Sequence, residues 1–164
     1  MSKVQASLAI CNLKESLVNE SKAFEQLIPE GSIVLHSSGE GDFWVTVWKL
    51  PATDTHGITC CGYLDDPTWE DEGDRVRAFA RALRFAEGIR ANRFLWDVRL
   101  LRSIDRSGLK LLKKFHNELM NSAICALVKN GLNPGTELAT LLNDCYITGS
   151  VSVAIDWLKR DGKY

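Results

Sequence analysis

The 164-residue sequence has no apolar run approaching the length of a membrane-spanning helix, so no segment reads as crossing a bilayer. It also lacks an excess of charge of one sign. Twenty Lys and Arg stand against 21 Asp and Glu, for a formal charge of -1. That gives no overall attraction to nucleic acid or to an anionic membrane, so neither is expected as a partner and any electrostatic function is local. Paired-cysteine spacing is missing too. Cys11, Cys60, Cys61, Cys125 and Cys145 are odd in number, form no C-x-x-C and lie in apolar runs, which reads as reduced thiols serving as small hydrophobes. The opening MSKVQASLAIC has no sustained apolar segment before Cys11, and Ile10 does not suit a cleavage site, so a cytoplasmic location is expected. There is no internal repeat and no low-complexity tract.

Several kinds of chemistry are missing as well. His36 and His56 lie near polar turns with no second ligand two or four residues on, and both read as solvated. Cys60 and Cys61, adjacent on an expected strand, point to opposite faces and cannot share one metal. No metal or cofactor is expected. NGLNPGTE (130–137) lacks the lysine and glycine spacing of a phosphate-binding loop and reads as a turn with Pro134 near a helix start. Ser107 and His116 are nine residues apart on one expected helix, about 900° of rotation and roughly 13 Å of rise, so they cannot form a nucleophile and base pair. The chain is not expected to be an enzyme.

What the sequence does carry is a regular alternation of elements. Ile10, Leu13, Leu17, Phe24 and Leu27 mark an amphipathic helix over residues 5–28, ended by Pro29-Glu30-Gly31. A short strand at Ile33 to Leu35 and the polar SSGEGD follow, so residues 1–40 read as an appended segment and 41–164 as the main domain. FWVTVWKL (43–50) and GITCCGYL (57–64) are dense in aromatic and β-branched residues and read as an antiparallel hairpin. Asp66 and Pro67 suit a helix start, with Val76, Phe79, Ala80 and Leu83 as that helix's buried stripe. A strand from Phe94 to Leu101, a helix from Gly108 to Met120, a strand at Ala123 to Val128 and a helix from Thr136 to Cys145 come next. A short extended piece near Ile147 and a last helix capped by Ser152 complete the chain. Strands separated by helices require crossover connections, so the later strands should be parallel. The expected fold is α/β, a mixed sheet with an N-terminal antiparallel hairpin and parallel strands covered by helices.

The stretch SIDRSGLKLL enters a helix whose apolar stripe is Leu109, Leu112, Phe115 and Leu119. Asp105 and Ser107 both stand at its N–H end, where either would serve as the N-cap. In this register the sequence resembles the STAS family, the bacterial anti-sigma-factor antagonists and their relatives. Asp97 matches the family's strand aspartate, Asp105-Arg106-Ser107-Gly108 its D-x-[ST]-G helix opening, and Gly62-Tyr63-Leu64-Asp65 its G-x-L-D. VAIDWLKR is similar to its last helix, and the resemblance spans Phe43 to Arg160. Arg106 stands where regulated members commonly carry Ser or Thr.

The resemblance implies a regulatory module that binds a protein partner of the switch-kinase, anti-sigma type. It implies phosphorylation at Ser107 and partner contacts through Asp97, Asp105, Arg106, Ser107, Gly108 and Lys110. The alternative is a STAS-like sensor binding a small molecule or lipid between helices and sheet, in a cavity lined by Trp44, Trp48 or Phe79, with Ser107 only a cap. The N-terminal helix is left open between covering that surface and mediating a homodimer.

Overall fold

The computed structural model describes residues 28–65 and 73–162. The helix expected over 5–28, the helix start at Asp66 and Pro67, and Cys11 and Trp69 lie outside those residues. The chain divides into two compact units, 1–30 and 31–164, and the second holds every element below.

Six strands form one sheet in chain order: β1 (Ile33–Glu40), β2 (Phe43–Leu50), β3 (Thr55–Leu64), β4 (Arg93–Ile104), β5 (Ile124–Val128) and β6 (Tyr146–Thr148). The first three pair antiparallel, and β3 with β4, β4 with β5 and β5 with β6 pair parallel. Helices α1 (Asp74–Glu87), α2 (Arg106–Leu119), α3 (Gly135–Leu141) and α4 (Val151–Lys159) supply the crossovers and the last element. This is the mixed α/β sheet expected, in the element order the STAS resemblance implies. Among the described residues no helix is long and apolar enough to cross a membrane.

The strands alternate faces. Phe43, Val45, Val47, Ile58, Cys60, Phe94, Trp96, Cys125 and Leu127 make one face of the sheet and pack with Ala78, Phe79, Ala82 and Leu83 of α1 and Leu112 and Phe115 of α2 into the core. Helix α4 lies against β4, β5 and β6, with Trp157 stacked on Tyr146 at 4.7 Å.

Five elements differ from expectation. α3 ends at Leu141 and not at Cys145, because the chain turns at 142–144 to enter β6. β1 is a full eight-residue strand paired to β2, so residues 33–40 belong to the sheet and not to an appended segment. Small Ser37, Ser38 and Gly39 carry it past the expected end, and Gly39 leaves the room that the Trp44 ring occupies. β4 continues three residues beyond Leu101 to Ile104, because a register irregularity bulges Arg102 out and pairing with β3 resumes at Ser103 opposite Tyr63 and Ile104 opposite Leu64. Ser150, not Ser152, caps α4, accepting from the Val153 N–H at 3.4 Å. His56 is buried, not solvated, because β3 begins at Thr55 and flanks it with β2 and β4.

Candidate functional site

The turn from β4 into α2 is fixed from both sides. The Asp105 N–H donates to the Leu64 carbonyl at 3.0 Å, tying the turn to the end of β3. Its side chain accepts from the Gly108 N–H at 2.8 Å, closing the first turn of α2 as an N-cap. Gly108 has a steric reason to be glycine. A Cβ there would lie 3.0 Å from Ile104 Cγ1 and 3.1 Å from Leu64 Cδ2, so its absence lets the helix end settle onto fully buried Leu64.

The G-x-L-D stretch is the other half of the same construction. Gly62 has φ +87°, and a Cβ there would fall 1.6 Å from the Asp42 carbonyl oxygen, a place only glycine can hold. Leu64 is the floor under Gly108. Asp65 accepts from the Ser103 hydroxyl at 2.8 Å and from Arg75 at 3.2 Å. Arg75 also donates to the Asp65 carbonyl at 2.7 Å and to the Asp42 carboxylate at 2.7 Å, joining the β1–β2 turn, the end of β3 and α1.

Upon this base Arg106, Ser107 and Lys110 are exposed on α2, with exposed Arg102 at the end of β4. The cap is Asp105, so Ser107 is not the capping residue that the sensor alternative required. Asp97 is not brought to this turn. It is only 2% exposed, lies on the sheet face opposite Trp96 and α2, and is held by Arg99 through bonds of 2.9 and 2.8 Å. The sequence register between Asp97 and Asp105 is spanned by strand, which carries the two residues apart.

A second cluster escaped the sequence reading. His116, 2% exposed within the apolar stripe of α2, meets three residues from other elements. The Trp96 indole N–H donates to Nδ1 at 3.2 Å, Nε2 lies 2.8 Å from Asp144 Oδ1, and Cys145 Sγ lies 3.8 Å from Nε2. An indole nitrogen can only donate, so the ring proton sits on Nε2 and is donated to Asp144. A hydrogen bond with Cys125, then burial, holds the Cys145 thiol well above its ordinary pKa. The partners of His116 lie 20 to 29 residues away in sequence, beyond any local spacing rule. Its place one turn after Leu112 in the buried phase of α2 was the available signal.

The arginines Arg77, Arg81 and Arg84 are exposed on α1, with Arg77 paired to Asp74 at 3.3 Å. Trp44 donates to Thr46 at 3.1 Å, and Trp48, fully buried, donates to Thr59 at 3.0 Å with its ring over Gly57. A groove of about 640 Å³ runs between α2 and the α3 region, lined by Leu109, Lys113, Asn117, Glu137, Leu141 and Asp144.

No family model matches the chain, and no curated protein matches it. Among solved structures the chain is similar to the crystal structure of an anti-sigma factor antagonist from Mycobacterium paratuberculosis, with a TM-score of 0.49 and 15% identity, covering 78% of this chain and 94% of that one.

Proposed function

We propose that this protein is a non-enzymatic regulatory module that docks a protein partner on the β4–α2 turn, with phosphorylation of Ser107 as the switch. The observation that carries the reading is the division of labour between Asp105 and Ser107. Asp105 caps the helix, which leaves the exposed Ser107 hydroxyl without a capping role on a turn pinned by Leu64 and Gly108. A rigid base beneath an exposed hydroxyl suits a site that is read by another protein.

A phosphate there would add about -1.5 to -2 charges at pH 7. The N-terminal end of α2 favours negative charge, so the domain keeps its fold while the surface changes sign. Arg102, Arg106 and Lys110 can pair with the phosphate or, before modification, with acidic groups of the partner. On the STAS resemblance that partner is a switch kinase of the anti-sigma type. The contact surface comprises Asp105, Arg106, Ser107, Gly108 and Lys110, without Asp97. The small-molecule or lipid reading has less support, since Trp48 and Phe79 are fully buried and packed.

The test is phosphopeptide mass spectrometry of the protein from its native cell, paired with affinity capture using wild type, Ser107→Ala and Ser107→Asp. Phosphate on Ser107, and a partner held by Ser107→Ala but lost by Ser107→Asp, is the expected result. An unmodified Ser107 under all conditions, with identical capture by all three, overturns the reading.

A further inference from the structure

We propose that His116, Asp144, Cys145 and Cys125 form a binding site for a thiophilic divalent metal ion, with zinc as the chemically matched one. The donors come from separate parts of the chain: His116 from α2, Cys125 from β5, and Asp144 and Cys145 from the segment entering β6. The ligand atoms of His116, Asp144 and Cys145 lie within 4.8 Å of one another. Cys125 is the rung before the Ala126–Tyr146 pair on the neighbouring strand, which sets it beside Cys145 with both thiols buried; it stands outside the 4.8 Å group and joins it as the fourth ligand by a turn of its side chain. Two thiols, one imidazole and one carboxylate are a donor set that zinc takes in tetrahedral geometry. Ligand atoms around a tetrahedral zinc lie roughly 3.3 to 3.8 Å apart. The 3.8 Å from His116 to Cys145 falls at that separation, while the 2.8 Å from His116 to Asp144 is a hydrogen bond that opens by about half an ångström when an ion enters.

Access and charge agree with this assignment. Asp144 is about half exposed on the rim of the groove between α2 and the α3 region, so of the four ligands its carboxylate is the one that meets an ion arriving from that groove. Binding releases two thiol protons, and the metal with two thiolates and one carboxylate then carries a net charge of -1. Lys113 lines the same groove.

One contact opposes binding. To coordinate through Nε2, His116 must move its proton to Nδ1, where it meets the Trp96 indole N–H now 3.2 Å away. Two donors then face each other, the reverse of the acceptor that usually supports a metal-bound histidine. Trp96 therefore weakens the site without abolishing it, and its removal has a signed effect.

The experiment titrates the purified, reduced full chain with cobalt(II) and then displaces it with zinc in the presence of a competing chelator. The expected result is one equivalent with a thiolate-to-cobalt charge-transfer band and tetrahedral visible bands, lost on adding zinc. Cys145→Ser and Cys125→Ser should each weaken zinc binding about a hundredfold and diminish the charge-transfer band, and Asp144→Asn should weaken binding about tenfold. Trp96→Phe should tighten it about tenfold. Circular dichroism on each variant establishes that it is folded before titration. Absence of the charge-transfer band in the wild type, or zinc affinity unchanged in both folded cysteine variants, overturns the proposal.

Discussion

The two glycines of the site are glycine for different reasons, and the difference is measurable. At Gly108 an added Cβ presses on the side chains of Ile104 and Leu64 at 3.0 and 3.1 Å, which must shift by a few tenths of an ångström but are not backbone. Gly108→Ala should therefore cost about 1 kcal/mol, overpacking partly offset by alanine's helix preference. At Gly62 the obstacle is backbone at 1.6 Å and φ is +87°. Gly62→Ala should cost about 3 kcal/mol or more, and urea denaturation of the two variants should rank them in that order. The cap assignment has its own test by the same measurement: Asp105→Ala should lose about 1 kcal/mol, and Ser107→Ala less than about 0.5 kcal/mol. His56 gives a dependence on pH. Burial, then the charge of Lys49, holds it below its ordinary value of 6.5. As pH falls the unfolded chain takes up this proton first, so stability present above about pH 6.5 is lost as pH drops through the lower folded-state value. The denaturation midpoint should be lower at pH 5 than at pH 7.5, by a smaller margin in His56→Gln.

At the scale of elements, α1 packs its apolar face on the sheet and adds polar ties to the strands through Arg75. Arg75 is mostly covered and bridges Asp42 and Asp65. Arg75→Met keeps the stem but removes those bonds, and should lower stability by about 1 to 2 kcal/mol with a salt dependence weaker than the wild type's. The strands and helices themselves were legible from period and composition, because β2, β3 and β5 are buried enough to read as apolar runs and α2 carries a clean stripe. Legibility failed where pairing overrode composition. Nothing in the polar Arg102 and Ser103 or in Ser37 to Gly39 announces a strand; their conformation is set by neighbours in the sheet. The same limit governs the site. Asp105, Ser107 and Gly108 lie within four residues and are legible as a helix start, whereas Asp65, Ser103, Arg75 and the surroundings of His116 are assembled by contacts between distant parts of the chain.

At the scale of the whole sheet, the same turn that presents Ser107 also ties the end of β4 to the end of β3, so the docking proposed there would rest on a contact that domain stability also uses. A partner that engages the β4–α2 turn should raise the denaturation midpoint of the chain with the logarithm of one plus its concentration over its Kd, which thermal melts at several partner concentrations would read. One property of this sheet reaches back before any partner is met. Its strands lie side by side in the order in which they occur along the chain, β1 through β6. No strand has to be threaded between two that are already paired. During synthesis each new strand meets an edge left open by the one made just before it, so the sheet can grow from its N-terminal meander outward as the chain leaves the ribosome.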